Sequence, residues 1–496
     1  MFDGAWRVFQ GQIPYRDFYS AFPPVPFFIL AFFFLLFGVD FSAMVIAAAV
    51  LNALAIVCVI YVVRVLLPRQ AAMAAAGGLL TAVWFQAPFG TLWFEQTAFA
   101  FNLFSLVFAL SSINNVTRSA VWLRISAGIC LGIAMLCKQN AGAEFVPVVL
   151  AILVIPQLRE PRTAFVTSAQ VFAGLMLAAV IFGSWLWWFS SPIHFWHDYV
   201  AMARQIGADR FSSISSLLVL VIPIGTMGRS VLPLIAFCIA LRATAEKRVF
   251  DNKALLICVV LGCVFYQNLF SSHTANEIEN SMPYIGLIYA LSIGMLLEGV
   301  REGFLATPIT PVLVSMVLAV PLFDGALVSV GRKVQEFGPG TTFTDRVQVP
   351  GMSRVRWGEP TVIGSKSTSN PTILARREFE ALNDWLRKAD TNFFVFKDST
   401  VLYGLQHRIS PQPWLYFSPG HGFLWEELPH VDSEVVESLV RNDVHVIVME
   451  KESWLGDGDL WNKMPKLEAF LENDFEKVKE FGIYQVYRRR PPDSTP

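Results

Sequence analysis

The stretch "IPYRDFYSAFPPVPFFILAFFFLLFG", residues 13–38, decides the architecture. Its second half is wholly apolar, but residues 25–38 number only about fourteen and open with prolines, whereas a bilayer crossing takes about 20 residues. Such a length suits a re-entrant or interfacial helix. The first crossing is then 43–63, and every later loop takes its side of the membrane from that choice.

Loop charge tests the choice, because cytoplasmic loops collect Lys and Arg. With 1–42 outside, the inner loops carry Arg64, Arg69, Arg118, Arg124, Arg159, Arg162, Arg242, Lys247, Arg248, Lys253 and Arg301. The outer loops keep Lys138, Arg204 and Arg210. A bias of eleven to three favours this topology, and counting 25–38 as a span would invert it.

Composition agrees. Charged residues make up 16% of the chain and apolar ones 54%, against about 25% charged in an ordinary soluble domain. Further spans are expected near 71–87, 96–113, 120–137, 141–156, 164–190, 224–241, 254–271, 282–298 and 304–323, giving about ten. The six cysteines all lie in apolar segments, with no disulfide or metal spacing, and read as small buried hydrophobes. A net charge of −1 says nothing about nucleic acid, but no basic run is present to grip a phosphate backbone, so no nucleic-acid partner is expected. "NVT" at 115–117 fits a glycosylation acceptor, but its loop falls on the cytosolic side.

Beyond residue 323 the chain turns polar. The segment from Gly331 to Pro371 reads as irregular, "TILARREFEALNDWLRKA" as helical, and "NFFVFKDST" and "VHVIVME" as buried strands. "LEAFLENDFEKVKEFGIYQVYRRR" reads as a helix followed by a strand hairpin. The fold class is a polytopic α-helical membrane protein with a C-terminal periplasmic α/β domain. Its expected parts are an outer-face first loop with an interfacial helix (1–42), a transmembrane region (43–323) and the outer domain (324–496).

Several positions bear chemistry. Arg16 and Asp17 sit between aromatics at the headgroup level; they either pair and cap the turn before Pro23, or present a carboxylate as general base or metal ligand. Lys138 ends an apolar helix on the outer side, beside Gln139. An ionisable group there marks a functional position by default, with interfacial snorkelling as the plainer reading. Glu95 opens a span where a carboxylate also suits the helix dipole. His273, Glu277 and Glu279 share an outer loop that could face an acceptor or a metal but reads most simply as solvated. Arg229 could contact a phosphate. His194 and His197, in "HFWHDY", read as part of an aromatic belt.

"GAWRVFQGQIPYRDFYSAFPP", followed by an apolar helix ending in Phe-Gly, resembles the first outer loop of the C-type membrane glycosyltransferases. It is similar in particular to the bacterial branch of the protein mannosyltransferase superfamily, which includes the lipid A aminoarabinose and galacturonic acid transferases. "LGIAMLCKQNAG", 131–142, resembles the Lys-Gln signature these proteins carry at an outer helix end. The likeness covers roughly residues 4–323. It implies transfer of a sugar from a polyprenyl phosphate to a lipid, glycan or protein acceptor on the outer face of the inner membrane, with inversion. It implies donor-phosphate contacts from Lys138, Gln139, Arg16 and Arg229, and a cofactor left open between none and a divalent metal ion. Relatives carry an acidic residue about twenty positions before the Asp matched here by Asp17. Counting back passes Met1, so the chain is expected to be N-terminally truncated, with Asp3 as a substitute base beside Asp17 and Glu95.

Competing expectations are a transporter or lipid-carrier translocase, and a catalytically dead paralogue that binds lipid-linked sugar. Transporters place ionisable groups near the midplane and show repeats; here the charges gather at one surface and a sizeable outer domain follows.

Overall fold

The computed structural model describes residues 1–85, 90–113, 118–202, 204, 253–273, 283–301, 342–359, 361–363, 372–397, 399–417, 422–451 and 460–491. The spans expected at 224–241 and 304–323 lie outside these, as do Cys238 and residues 115–117. The chain divides into two compact units: one of residues 1–45, 185–208 and 332–496, the other of 46–184 and 209–331.

The second unit is helical. It contains most of α3 (Phe41–Leu66), then α4 (Ala71–Trp84), α5 (Phe94–Ile113), α6 (Arg118–Met135), α7 (Gln139–Ala143), α8 (Val146–Val154) and most of α9 (Pro161–Phe189). Helices Lys253–His273 and Ile285–Arg301 follow. Five stretches among the described residues are long and apolar enough to cross a membrane: Phe41–Leu66, Phe94–Ile113, Arg118–Met135, Gln139–Gln157 and Pro161–Phe189. The protein is a helical membrane protein. Without a hydrophobic force between helices in lipid, close approach falls to small residues. At the α6–α9 crossing, a Cβ on Gly128 would stand 2.0 Å from the Val171 carbonyl oxygen, and one on Gly174 2.0 Å from that of Ile125.

Between α6 and α8 the chain breaks. Lys138 is extended (φ −161°, ψ 111°), and Pro147 at the start of α8 cannot continue an earlier turn. Gly142 lies so close to the end of α6 that a Cβ would meet the Met135 nitrogen at 2.3 Å. Five of the cysteines, Cys58, Cys130, Cys137, Cys258 and Cys263, are buried free thiols.

The first unit begins with α1 (Phe2–Phe9), within the segment read as an outer-face loop. Phe2, Ala5 and Trp6 fall on one buried face, and the Trp6 indole donates to the Arg408 carbonyl at 2.7 Å. That face holds the helix in place. The apolar run forms α2 (Val25–Phe37), thirteen residues ended by Gly38 at φ 83°. The stretch read as irregular contains β1 (Thr342–Arg346), β2 (Arg356–Glu359) and β3 (Thr361–Ile363), and the first residues of the segment read as helical form β4 (Thr372–Leu374); the four pair as two short antiparallel ribbons. Their Gly, Ser and Pro content hid strands of three to five residues.

The main sheet has the order β5 (Phe393–Phe396), β6 (Val446–Glu450), β8 (Tyr484–Arg489), β7 (Phe475–Phe481). β5 and β6 run parallel, which requires a crossover; helix Leu428–Arg441 lies within it. β5 is buried at all four positions, as an unbroken Phe-Phe-Val-Phe run should be. The core beneath gathers Phe394, Phe396, Trp414, Phe417, Val435, Leu439 and Ile447.

Candidate functional site

In the first unit, the loop after α1 is tied to itself. Tyr15 is buried in a left-handed turn (φ 66°), and its hydroxyl donates to the Phe22 carbonyl at 2.9 Å. Its backbone N–H donates to Phe18 O at 2.8 Å. Arg16 and Asp17 form a fork: Nε to Oδ1 at 2.8 Å and Nη2 to Oδ2 at 2.7 Å. Asp17 Oδ2 also accepts the Ile13 N–H at 2.8 Å. The Arg16 guanidinium, above all through these hydrogen bonds, holds the Asp17 carboxyl below its usual range. Asp17 is therefore a fixed, ionised carboxylate.

A strap from residues 189–199 braces this loop from within the same unit. Arg16 Nη1 reaches the Phe189 carbonyl at 3.4 Å, and the Ser190 hydroxyl donates to Pro14 O. His194 Nδ1 lies 3.0 Å from the Tyr15 carbonyl, which only accepts, so this nitrogen carries the proton. The two histidines read as aromatic belt are thus polar struts. His197 sits on a π-helical turn, Trp196–Ala201, with Nδ1 2.8 Å from Asp198 and Nε2 2.8 Å from Glu427.

Both ring nitrogens of His197 face carboxylates, so the imidazolium is favoured. The hydrogen bond to Asp198 raises its pKa most, and burial opposes it. Burial raises the Asp198 carboxyl in turn. Both groups bind a proton more tightly when folded, so the cluster's stabilisation is full below the ordinary histidine pKa of 6.5 and is lost as pH rises through the raised folded value. Thermal unfolding from pH 6 to 8 (about one unit either side of neutral) should show stability falling with pH, and the slope should flatten in His197→Gln. An unchanged slope would remove His197 from the account.

Asp3 and Arg7 form a buried ion pair at 3.1 Å on consecutive turns of α1, each side chain 1% exposed. Arg7 also donates to the Gln412 carbonyl at 3.1 Å. Burial pushes the Asp3 carboxyl up and Arg7 pulls it down. A general base must reach the hydroxyl it deprotonates. Asp3 instead points into the packing of α1, held there by Arg7.

In the second unit, Lys138 Nζ lies 2.9 Å from Glu95 Oε1, the carboxylate being 5% and the lysine 24% exposed. Glu95 stands in the first turn of α5, and Lys138 immediately precedes α7, whose first residue is Gln139. The break that carries Lys138 is held by side chains from two other helices. Asn102 Nδ2 and the Tyr266 hydroxyl both donate to the Ala141 carbonyl at 2.9 Å, and they lie 3.3 Å apart. Phe145 stacks on Tyr284 at 5.3 Å. Glu95 Oε2 and both polar atoms of the buried Gln96 have no hydrogen-bond partner among the described residues. This end of α5 has bonding capacity that the other described residues do not use. Asn102 and Tyr266 escaped the sequence reading, although a carboxamide in mid-span is itself a signal.

Arg229, Glu277 and Glu279 lie outside the described residues, as does the side chain of His273, the last residue of its helix. Among the described residues no group of three or more His, Cys, Asp or Glu side chains could hold a metal ion.

Residues 21–188 match the dolichyl-phosphate-mannose-protein mannosyltransferase family. The likeness to that family is carried by this one segment of the chain. It contains Glu95, Lys138 and Gln139, and begins just after Asp17. Among solved structures, ArnT from Cupriavidus metallidurans bound to undecaprenyl phosphate is similar with a TM-score of 0.54 at 14% identity. That alignment covers 100% of this chain and 94% of that one. ArnT from the same organism in the apo state gives a TM-score of 0.38 at 12% identity, over 98% and 92% of the two chains. At such identity the first likeness is one of fold. No curated protein matches the chain.

Proposed function

We propose that the protein is an inverting glycosyltransferase that takes a sugar from a polyprenyl phosphate and passes it to a lipid, glycan or protein acceptor at the outer face of the inner membrane. The observation that carries this reading is the Glu95–Lys138 pair. It is a largely buried ion pair on a broken helix, within the segment that matches the family. The fold shared with a protein whose structure holds undecaprenyl phosphate supports the same donor class.

In this reading the donor's tail stays in lipid while its sugar-phosphate lies at the headgroup plane. The acceptor hydroxyl attacks the anomeric carbon, the bond to the phosphate oxygen breaks, and a base takes the hydroxyl proton. Lys138, with Gln139, meets the phosphate and offsets the charge that grows on it as the bond breaks. Glu95 orients Lys138. Arg16 adds a second cation, with Asp17 holding its guanidinium in plane. Arg229 serves as a further phosphate contact, and His273, Glu277 and Glu279 face the acceptor. Residues 324–496 form a periplasmic domain in this topology.

The test uses the full chain in proteoliposomes supplied with polyprenyl phosphates carrying different radiolabelled sugars. Release of free polyprenyl phosphate, matched by label on a second molecule, is expected for at least one donor. Movement of intact lipid-linked sugar across the bilayer without transfer would overturn the reading in favour of a translocase.

A further inference from the structure

Arg124 stands in the second turn of α6, inside a stretch apolar enough to cross a membrane. Its Nε donates to the Ser112 hydroxyl, in the last turn of α5, at 3.4 Å, and its Nη1 to the side-chain oxygen of Gln170, on α9, at 3.0 Å. The close crossing of α6 and α9 fixes this arrangement, because Arg124 and Gln170 directly precede Ile125 and Val171, whose carbonyls meet Gly174 and Gly128. Both partners are neutral oxygens. A guanidinium has five N–H donors, and Nη2 keeps both of its own unused among the described residues. Neither α6 nor α9 contains a carboxylate, and the one on α5, Glu95, is at the far end of that helix. Glu160, just before α9, stands about 15 Å from Gln170 along the helix and accepts a bond from Thr163. The charge of Arg124 therefore has no counter-charge from these helices.

An ionisable group within a span is costly and marks a site by default; its surroundings decide the ligand. Helical side chains lean towards the start of their helix. The guanidinium thus reaches back from about 9 Å inside α6 towards the headgroup layer. Arg118 and Arg162 begin α6 and α9 at this same end, which the loop charges assign to the cytoplasm, where anionic lipids gather. In the other direction an apolar stripe starts from Gln170 and follows α9 through Ala173 and Leu177, at helical spacing, both exposed. An acyl chain descending from a phosphate at Arg124 would lie along it. A soluble anion would leave the stripe unused, a neutral lipid would leave the charge unmet, and a zwitterionic lipid brings a cation of its own to the guanidinium.

We infer that Arg124, held in place by Ser112 and Gln170, binds the phosphodiester of an anionic phospholipid whose acyl chain lies against Ala173 and Leu177. This site is separate from the Glu95–Lys138 pair, since Glu95 opens α5 and Ser112 stands about 25 Å further along it. It stands whether or not the protein transfers sugar. The experiment follows the melting temperature of the full chain in detergent as three probes are titrated: phosphatidylglycerol, phosphatidylcholine with the same acyl chains, and glycerophosphoglycerol, the chain-free headgroup. Phosphatidylglycerol should reach half its effect at a concentration at least about tenfold below that of phosphatidylcholine, and the chain-free headgroup should have none. Arg124→Gln should remove the preference. Arg118→Gln, which changes the net charge equally, should keep it. The two lipids are compared within each protein, so a change in baseline stability cancels. Should the glutamine protein fail to fold, Arg124→Lys answers the same question, because an ammonium lacks the planar fork that meets Ser112, Gln170 and a phosphate together, and should lose most of the preference. Equal half-points for the two lipids in the wild type, a preference that survives the change at Arg124, an equal loss in Arg118→Gln, or an equal effect of the chain-free headgroup overturns the inference.

Discussion

Lys138→Ala is expected to destabilise the protein by about 3–5 kcal/mol and to abolish donor use. Restoring the stability will not restore the activity. The Glu95 carboxylate is 5% exposed and lies 2.9 Å from the Lys138 ammonium. Removing the lysine leaves a buried carboxylate with no counter-charge, and most of the cost comes from there rather than from the attraction lost. The double variant Glu95→Leu with Lys138→Met replaces both charges by apolar groups, a change that is often neutral or stabilising for a buried pair. If the pair only ties α5 to the start of α7, that protein should be fully active. If Lys138 meets the donor phosphate, the double variant should unfold like the wild type, bind the lipid tail, and transfer no sugar. Lys138→Arg keeps the charge but spreads it over a plane, and should fall between. Denaturation in detergent micelles and transfer in proteoliposomes measure the two properties separately. An active double variant would reduce the pair to a structural tie.

The helices and the C-terminal hairpin were readable because their signals are local. Thirteen apolar residues behind two prolines form a short helix in any setting, and α2 is that helix. Phe-Phe-Val-Phe reads as a buried strand and is β5. What escaped the sequence depends on residues far apart in the chain. Nothing near Trp6 announces Arg408, and nothing near His197 announces Glu427, yet those contacts fix α1 in place and turn a supposed aromatic belt into a brace. At the candidate site, Lys138 and Glu95 stood out singly as charges at the edge of apolar runs. Their pairing, and the clamp of Asn102 and Tyr266 on the Ala141 carbonyl, come from three helices that only folding brings together. The strands β1 to β4 failed to register for a different reason. Each is too short for alternation to rise above the surrounding Gly, Ser and Pro.

Asp17→Asn should lower turnover about 10²-fold while leaving the acid limb of the pH–rate profile where it is. The carboxylate takes two hydrogen bonds from Arg16 and one from the Ile13 N–H, and Arg16 holds it ionised below the usual carboxylate range. A group held so firmly in its charged form is a weak proton acceptor, because base catalysis works best when the pKa lies near the working pH. The value of Asp17 is therefore geometric and electrostatic. It keeps the Arg16 guanidinium flat and closes the turn from Ile13 to Asp17 that the 189–199 strap braces. Asparagine has the right size but one accepting oxygen, so its amide must face either the guanidinium or the Ile13 N–H, donor against donor. The loop then shifts, and a displacement of about 1 Å at a positioned group can cost on the order of 10² in rate. Because Arg16 and Asp17 act as one unit, Arg16→Ala should cost nearly as much, and the double variant little more than either single change. Rates taken from about pH 5 to 9 separate the possibilities. Additive losses, or an acid limb that disappears with Asp17, would make Asp17 the base itself and Arg16 an independent contact.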